Sequence, residues 1–440
     1  MKQPAHALEG IKVIDISQVI AVPIGARHLG DFGADVIHIE HPQRGDFWRS
    51  HQAGHGGTNG VPSEVNYNWE IFNRNKRSLA LDLSKERGRE IVYKLIEQAD
   101  VLVTNLRMFE REKFGLEYET LKALNPRLIY GSITGLGKKG PERNSPSFDQ
   151  TAHWFRSGVT HMLTPAGASA IGFRAGFGDT VAGLGLFAAV MTALYVRERT
   201  GVGQEVDLSL FHTGMYQLSF DISCALITGQ DMNDITPSWI DEEDPRIKRF
   251  QELAAESETA FNNLHEFIKE NVPNPMAMEH TTSDNRIIRL NVLQPDRYWA
   301  KMCAALDRPD LVNDARFNNH ETRLENHLDL YHIMRDAFRS RPLEEWKVRL
   351  TEAGIPFGAQ QKLSEVIKDP QARANNYFVP FDHPSYGPIE VLANPLNMSE
   401  TPSSIRLPAP EFSQHTEEIL SELGYSWEDI AKFKEQGIIA

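Results

Sequence analysis

The chain has 440 residues, 41% of them hydrophobic and 24% charged, enough apolar material for a sizeable core and too much for a disordered or fibrous chain. Its 60 acidic residues outnumber 46 basic ones, a net charge of −14 that argues against a nucleic-acid partner but leaves a small anionic ligand open. The longest apolar run, Ala182 to Val196, is interrupted by Gly183, Gly185 and Thr192 and falls short of the roughly 20 residues of a bilayer span. No membrane partner is expected.

The N-terminal stretch MKQPAHALEGIKVIDIS has no charged leader before an apolar segment, and Cys224 and Cys303 have neither disulfide-framework nor metal spacing. A cytoplasmic protein without a structural metal follows from these two features.

In chain order, IKVIDIS reads as a strand, a short helix begins near Pro23 and stops at Gly33, and ADVIHIE is a second strand closing on Glu40. The same alternation continues with SLALDLS (strand), SKERGREIVYKLIEQA (helix), DVLVTN (strand), EYETLKALN (helix) and RLIYGSITG (strand). It predicts an α/β, Rossmann-like large domain with a parallel sheet, whose ligands bind beyond the strands' carboxyl ends. The first turn, SQVIAVP, lacks G-x-G-x-x-G, so Glu40 as a ribose-binding acid has little support.

A helix apolar on most faces is expected from Val181 to Val196, with Arg197, Arg199 and Gly201 as its C-terminal signature. Residues 226–280 include the acidic stretch DEEDPRIKRFQELAAESE and read as a linker region. RIIRLNVL, YWAKMCAALD, DLYHIMRDAFRS and LEEWKVRLTEAG then predict a smaller α/β domain over 281–384. Residues 385–440 return to complete the large domain of 1–225.

Asp179, in Gly178-Asp179-Thr180, sits where an N-cap of the apolar helix would. The same position suits an ionised carboxylate nucleophile beside free backbone donors. Asp149 could cap the helix after it, and His153 reads as a packing residue. His51 and His55 are an improbable metal pair among their glycines, and Asp207, Ser209 and His212 alternate on a strand and its continuation without a nucleophile elbow. The loop Gly135 to Gly140, with Lys138 and Lys139, is an anion-binding candidate.

Taken in order, LEGIKVIDIS, LGDFGADVIHIEHPQRGD, NRNKRSLALDL, ADVLVTN, KFGLEYETLKALNPRLIYGSITGLGKKGP, FGDTVAG, RTGVGQEVDLSLFHT, GIPFG and APEFSQHTEEILSELGY resemble the family III CoA-transferases. That group also contains formyl-CoA transferase, carnitine CoA-transferase and α-methylacyl-CoA racemase. The resemblance implies an interlocked-ring homodimer that moves CoA between an acyl-CoA and a carboxylic acid. The route it implies runs through an anhydride and then a CoA thioester on Asp179, with no metal or redox cofactor. It implies CoA contacts at Val19, Ile20, Ala21, Leu81, Asn105 and Lys113, with Phe148 and Asp149 on the substrate side; His41 and Lys138 are further candidates to meet the anionic CoA.

His41 stands where formyl-CoA transferase has an Arg, Ile20 where it has a Gln and His51 where it has a Trp, and no tetraglycine run is present. These departures weigh against an oxalate or formate substrate. Trp154, Phe155, Met162 and Phe177 would suit a larger aromatic or branched acyl group. The racemase branch resembles a His-Asp pair where this chain has Phe148-Asp149, and Phe148 cannot move a proton. The alternatives are a racemase or isomerase of the same fold and a non-catalytic CoA-binding subunit of a heteromeric transferase.

Overall fold

The structure, a computed structural model, describes residues 6–50, 63–164, 169–172, 174, 176–231 and 274–440. His51, His55 and most of the acidic 226–280 region lie outside the described residues. The chain forms two compact units: Met1–Thr164 with Ala170–Ile227 and Arg373–Ala440, and Pro165–Ser169 with Thr228–Ala372.

The first unit is built on six parallel strands, β1 (Lys12–Ile16), β2 (Asp35–Glu40), β3 (Lys76–Ala80), β4 (Val101–Thr104), β5 (Ile129–Thr134) and β6 (Glu205–Ser209). Their order is β3-β2-β1-β4-β5-β6, so successive strands are added toward opposite edges of the sheet on either side of β1 and β4, which opens a crevice there. β3 starts earlier than SLALDLS suggests and ends at Ala80, because Leu81 is taken by an antiparallel bridge to Ile439.

Alternation along the strands sends Ile14, Ile37, Leu79 and Leu102 to one face, against Ile91, Val92 and Leu95 of the helix Glu86–Gln98. Ile419, Leu420, Phe433 and Ile439 of the C-terminal segment close that core. Val13, Val36, Val101 and Ile129 point to the other face, against the helices Ala21–Asp31 and Phe177–Thr200. Both faces are covered, which is why the strands read as nearly unbroken apolar runs.

The Phe177–Thr200 helix is long and apolar enough to cross a bilayer, yet its Ala182, Leu186, Val190 and Leu194 are buried in this core. It crosses the first helix closely. A Cβ on Gly183 would lie 2.7 Å from the Ala21 carbonyl oxygen, and one on Gly25 would lie 2.9 Å from Leu186 Cδ2. Neither site has room for a side chain.

In the second unit the strands β7 (Glu279–Thr281), β8 (Ile287–Leu290) and β9 (Phe357–Ala359) pair only antiparallel. The turn between β7 and β8 is too short for a parallel crossover. Helices Pro295–Ala305, His327–Phe338 and Leu343–Ala353 supply Trp299, Met302, Met334, Phe338 and Trp346 to its core.

The C-terminal return is fastened at Asp31, a buried carboxylate that accepts from Arg27 at 2.7 Å, Arg74 at 2.9 Å, Asn75 at 2.8 Å and Asn394 at 3.1 Å. Burial alone would raise its pKa, but Arg27 and Arg74 outweigh that and hold it at about 2. Asp31→Ala strands two buried guanidinium groups and should cost about 3–5 kcal/mol in urea unfolding at pH 7. A carboxylate with a folded-state pKa below its unfolded value stabilises above that value and loses the contribution as pH falls. The difference between wild type and variant should therefore shrink from pH 4 toward pH 2; a constant gap would contradict the assignment.

Candidate active site

Beyond the carboxyl ends of β1, β4 and β5 lies a cavity of about 340 Å³, at the crevice the strand order creates. Val19, Ile20, Ala21, Asn105, Phe148 and Asp179 all line it. A second cavity of about 190 Å³ takes in His41, Leu81 and Lys113. The two share Gln18, Leu106 and Glu110 and form one run along the sheet edge.

Asp179 stands in the first turn of the Phe177–Thr200 helix, but the N-cap is Gly176, with φ 96°. This corrects the expectation of an aspartate cap: the helix starts earlier, and the side chain is freed to face the cavity. The carboxylate is buried, 6% exposed, and has no hydrogen bond among the described residues. Burial, with the charge of Asp149 adding to it, pushes its pKa up to about 7. The helix dipole acts in the opposite sense, but at about 0.3–1 kcal/mol it amounts to less than one pKa unit.

Asp149 does not cap the segment after it. Its Oδ2 accepts from the Gly176 backbone N–H at 2.8 Å, so it holds the loop in front of Asp179. Gly178 allows this approach: a Cβ there would lie 2.4 Å from Asp149 Oδ1 and 2.2 Å from His153 Cγ. His153 is fully buried behind that glycine, lines neither cavity, and is kept below its ordinary pKa by burial.

The loop after β1 is strained. Val19, a β-branched residue, has φ 72°, a conformation that costs about 1–3 kcal/mol. Two neighbours hold it there. Asn105 grips Gln18 from both sides, its Oδ1 accepting from Gln18 N–H at 3.0 Å and its Nδ2 donating to Gln18 O at 2.6 Å. Asp46 accepts from the Val19 N–H at 3.2 Å.

Lys138 lines neither cavity. Its ammonium lies 2.8 Å from both Glu205 and Asp207, so the charge expected to bind an anion is already neutralised. Ser209 caps the Leu210–Gln217 helix by accepting from His212 N–H at 3.1 Å, which places His212 on a helix and leaves no Asp-His-Ser relay. Glu40 is held by both arms of Arg49 and by Ser78, so it is not free for a ribose. Of the aromatic residues expected near the substrate, Trp154 is buried against Phe177 with ring centroids 5.5 Å apart.

The sequence reading did not single out Gln18, Arg44, Asp46, Arg107, Glu110 or Arg143, all of which line the cavities. Gln18, Arg44 and Arg107 follow the carboxyl ends of β1, β2 and β4, so the strand-end rule could have named them. Among the described residues no group of His, Cys, Asp and Glu is arranged to hold a metal ion.

The family-wide sequence profile described as CoA-transferase family III matches residues 8–243 and 250–416. The (R)-2-hydroxy-4-methylpentanoate CoA-transferase of Clostridioides difficile is 34% identical over 98% of this chain and 99% of its own length. The cinnamoyl-CoA:phenyllactate CoA-transferase of Clostridium sporogenes is 29% identical over 99% of this chain and 97% of its own. A crystal structure of a CAIB/BAIF family protein from Brucella suis superposes with a TM-score of 0.73 at 26% identity, covering 95% of this chain and 99% of that one. Sequence and fold together place this chain in CoA-transferase family III, as an enzyme of the CoA-transferase type.

Proposed function

We propose that this enzyme moves CoA between two carboxylic acids with Asp179 as the nucleophile. The observation that carries the reading is a buried carboxylate, without a hydrogen bond among the described residues, facing a cavity at the crevice of the sheet. The carboxylate attacks the thioester carbonyl; the C–S bond breaks, giving an acyl-aspartyl anhydride and CoA thiolate. The thiolate attacks the aspartyl carbonyl, the donor acid leaves as a carboxylate, and Asp179 carries CoA as a thioester. The acceptor carboxylate attacks that thioester to form a second anhydride, and the released thiolate takes the acceptor's acyl group. Asp179 is regenerated, and each step exchanges groups of similar energy.

The substrate class follows from the lining near Asp179. Ile20, Ala21, Ile133, Leu136, Phe148 and Leu210 favour a branched or aromatic acid over a small polar one. The named relatives, a (R)-2-hydroxy-4-methylpentanoate CoA-transferase and a cinnamoyl-CoA:phenyllactate CoA-transferase, support the same direction. A racemase needs two bases across an α-carbon, and Phe148, which lines the cavity at the position where the resemblance to the racemase branch implies a His, cannot serve as one. The presence of only two cysteines, Cys224 and Cys303, in 440 residues supports a cytoplasmic setting.

The homodimer belongs to the same proposal. Tyr216, Phe220, Leu226 and Ile227, on the helices Leu210–Gln217 and Ser219–Thr228, are 75–92% exposed, an apolar surface that a second copy would cover.

Incubation with branched and aromatic acyl-CoAs, trapping with hydroxylamine and peptide mapping should label Asp179, and Asp179→Asn should lose at least about a thousandfold in turnover. No label from any donor, together with an active Asp179→Asn variant, would falsify the mechanism. Because the nucleophile must be ionised, kcat/KM should rise with pH through about 7 and level off above it. Asp149→Asn removes a negative neighbour, so the midpoint should move down. In stability the sign reverses: a raised carboxyl pKa favours the fold at low pH. Asp179→Asn should thus be more stable than wild type by about 1–3 kcal/mol at pH 8, with the gain gone by pH 4. Light scattering after size-exclusion chromatography should give twice the 49.7 kDa chain mass for wild type and a monomer for a Phe220→Asp, Leu226→Asp double variant.

A further inference from the structure

A charge cluster is sealed inside the first unit. Asp15 on β1 and His38 on β2 are register neighbours, and Lys76 on β3 pairs with Val36; strand alternation sends all three to the face that carries Val13 and Val36. Each is at most 1% exposed, and none lines either cavity. Asp15 Oδ2 accepts from Lys76 Nζ at 2.9 Å and from His38 Nδ1 at 2.9 Å, and Lys76 also donates to Asn73 Oδ1 at 2.8 Å. Burial alone would raise the Asp15 pKa, but Lys76 and then His38 outweigh it and hold the carboxyl below its ordinary range.

A buried ion pair is a poor source of stability, because taking both charges out of water costs about what their attraction returns. The other oxygen of Asp15 shows a different use. Asp15 Oδ1 accepts from the Ser17 hydroxyl, and Ser17 is the first residue beyond β1. From the end of the strand into the strained loop, each residue is held by a side chain. Thr104 Oγ1 donates to the Ile16 carbonyl at 2.7 Å, Asp15 takes Ser17, Asn105 grips Gln18 and Asp46 takes the Val19 N–H. Ile20 and Ala21 follow, and with Val19 they line the cavity that Asp179 faces. Ser17, Asp15, His38 and Lys76 are all buried, so water cannot stand in for the bond that Asp15 makes.

We propose that Asp15 is a positioning residue for CoA transfer: backed by Lys76 and His38, it fixes Ser17 and thereby the place where the Val19–Ala21 wall meets Asp179. This rests on the CoA-transferase reading above. A displaced wall costs turnover more than binding, because the reacting atoms must be aligned closely while most of the ligand is held elsewhere.

The test is steady-state kinetics of the full-length enzyme, with the branched or aromatic acyl-CoA that labels Asp179, on Ser17→Ala, Ser17→Thr, Asp15→Asn and the Asp15→Asn, Ser17→Ala double variant. Ser17→Ala leaves the Asp15–Lys76 pair in place and should lower kcat about tenfold, with KM for the acyl-CoA within about twofold of wild type. Ser17→Thr keeps a hydroxyl and should recover most of that loss. The double variant should be no slower than Asp15→Asn alone, because both changes remove one anchor. If Asp15→Asn does not fold, the two Ser17 variants decide the question by themselves. Wild-type kcat in Ser17→Ala, a loss seen in KM alone, a Ser17→Thr enzyme no faster than Ser17→Ala, or losses that multiply in the double variant would each overturn the proposal. A wild-type enzyme that transfers no CoA sinks the functional reading and this role with it; one that does, with Ser17→Ala unimpaired, sinks the role alone.

Discussion

The active-site geometry depends on how closely two helices cross. The Ala21 carbonyl, in the first turn of one helix, nearly touches the Gly183 backbone, one turn past Asp179 in the other. Because both helices start at the same edge of the sheet, that contact brings the Val19–Ala21 loop and Asp179 to one cavity. Gly176 extends the match, since a Cβ there would lie 3.1 Å from Ile20 Cδ1. A side chain at Gly25 or Gly183 would push the helices apart and separate the carboxylate from the loop it faces, without touching either. Packing thus sets the chemistry here.

The same packing explains why Asp179 can be both nucleophilic and costly. A carboxylate in water is well solvated and a poor nucleophile; one taken out of water without a hydrogen-bond partner gives up that solvation in the folded state. The protein holds it there with groups that do not quench it. Asp149 spends an oxygen on the Gly176 amide, and its negative charge raises the Asp179 pKa further. The strained Val19 loop is held by Asn105 and Asp46, neither of which bonds to Asp179. Strain and desolvation are concentrated in one place, while the Asp31 cluster and the two sheet-face cores stabilise the unit elsewhere.

Much of this was legible in the chain because it is local. Strands read as apolar runs, the βα alternation implied a parallel sheet, and FGD before an apolar helix marked Asp179. What the sequence hid is non-local. Nothing near Lys138 reveals that Glu205 and Asp207, on a strand some 70 residues later, claim its charge. Asp149 has a suitable helix-capping position, yet its partner is Gly176, across a loop. The helix start shifted from Asp179 to Gly176 because a left-handed glycine can begin a helix with no side-chain cap, leaving the stronger capping residue inside the first turn. The antiparallel pairing of the second unit was not legible, because helix and strand patterns alone do not specify strand direction.

Net charge shows the same limit from another side. At −14 the chain as a whole should repel a polyanion. A cofactor-sized anion responds to a much smaller neighbourhood, because charges more than about 8–10 Å away at the surface are screened at physiological salt. Within the smaller cavity the four carboxylates, Glu40, Asp46, Asp82 and Glu110, each accept from N–H groups, a hydroxyl or a guanidinium group. Arg44 and Lys113 have no ion pair among the described residues. What matters for binding is therefore which charges the fold leaves unpaired, and an acidic protein can offer a positive rim as long as its acids are paired with one another's partners first.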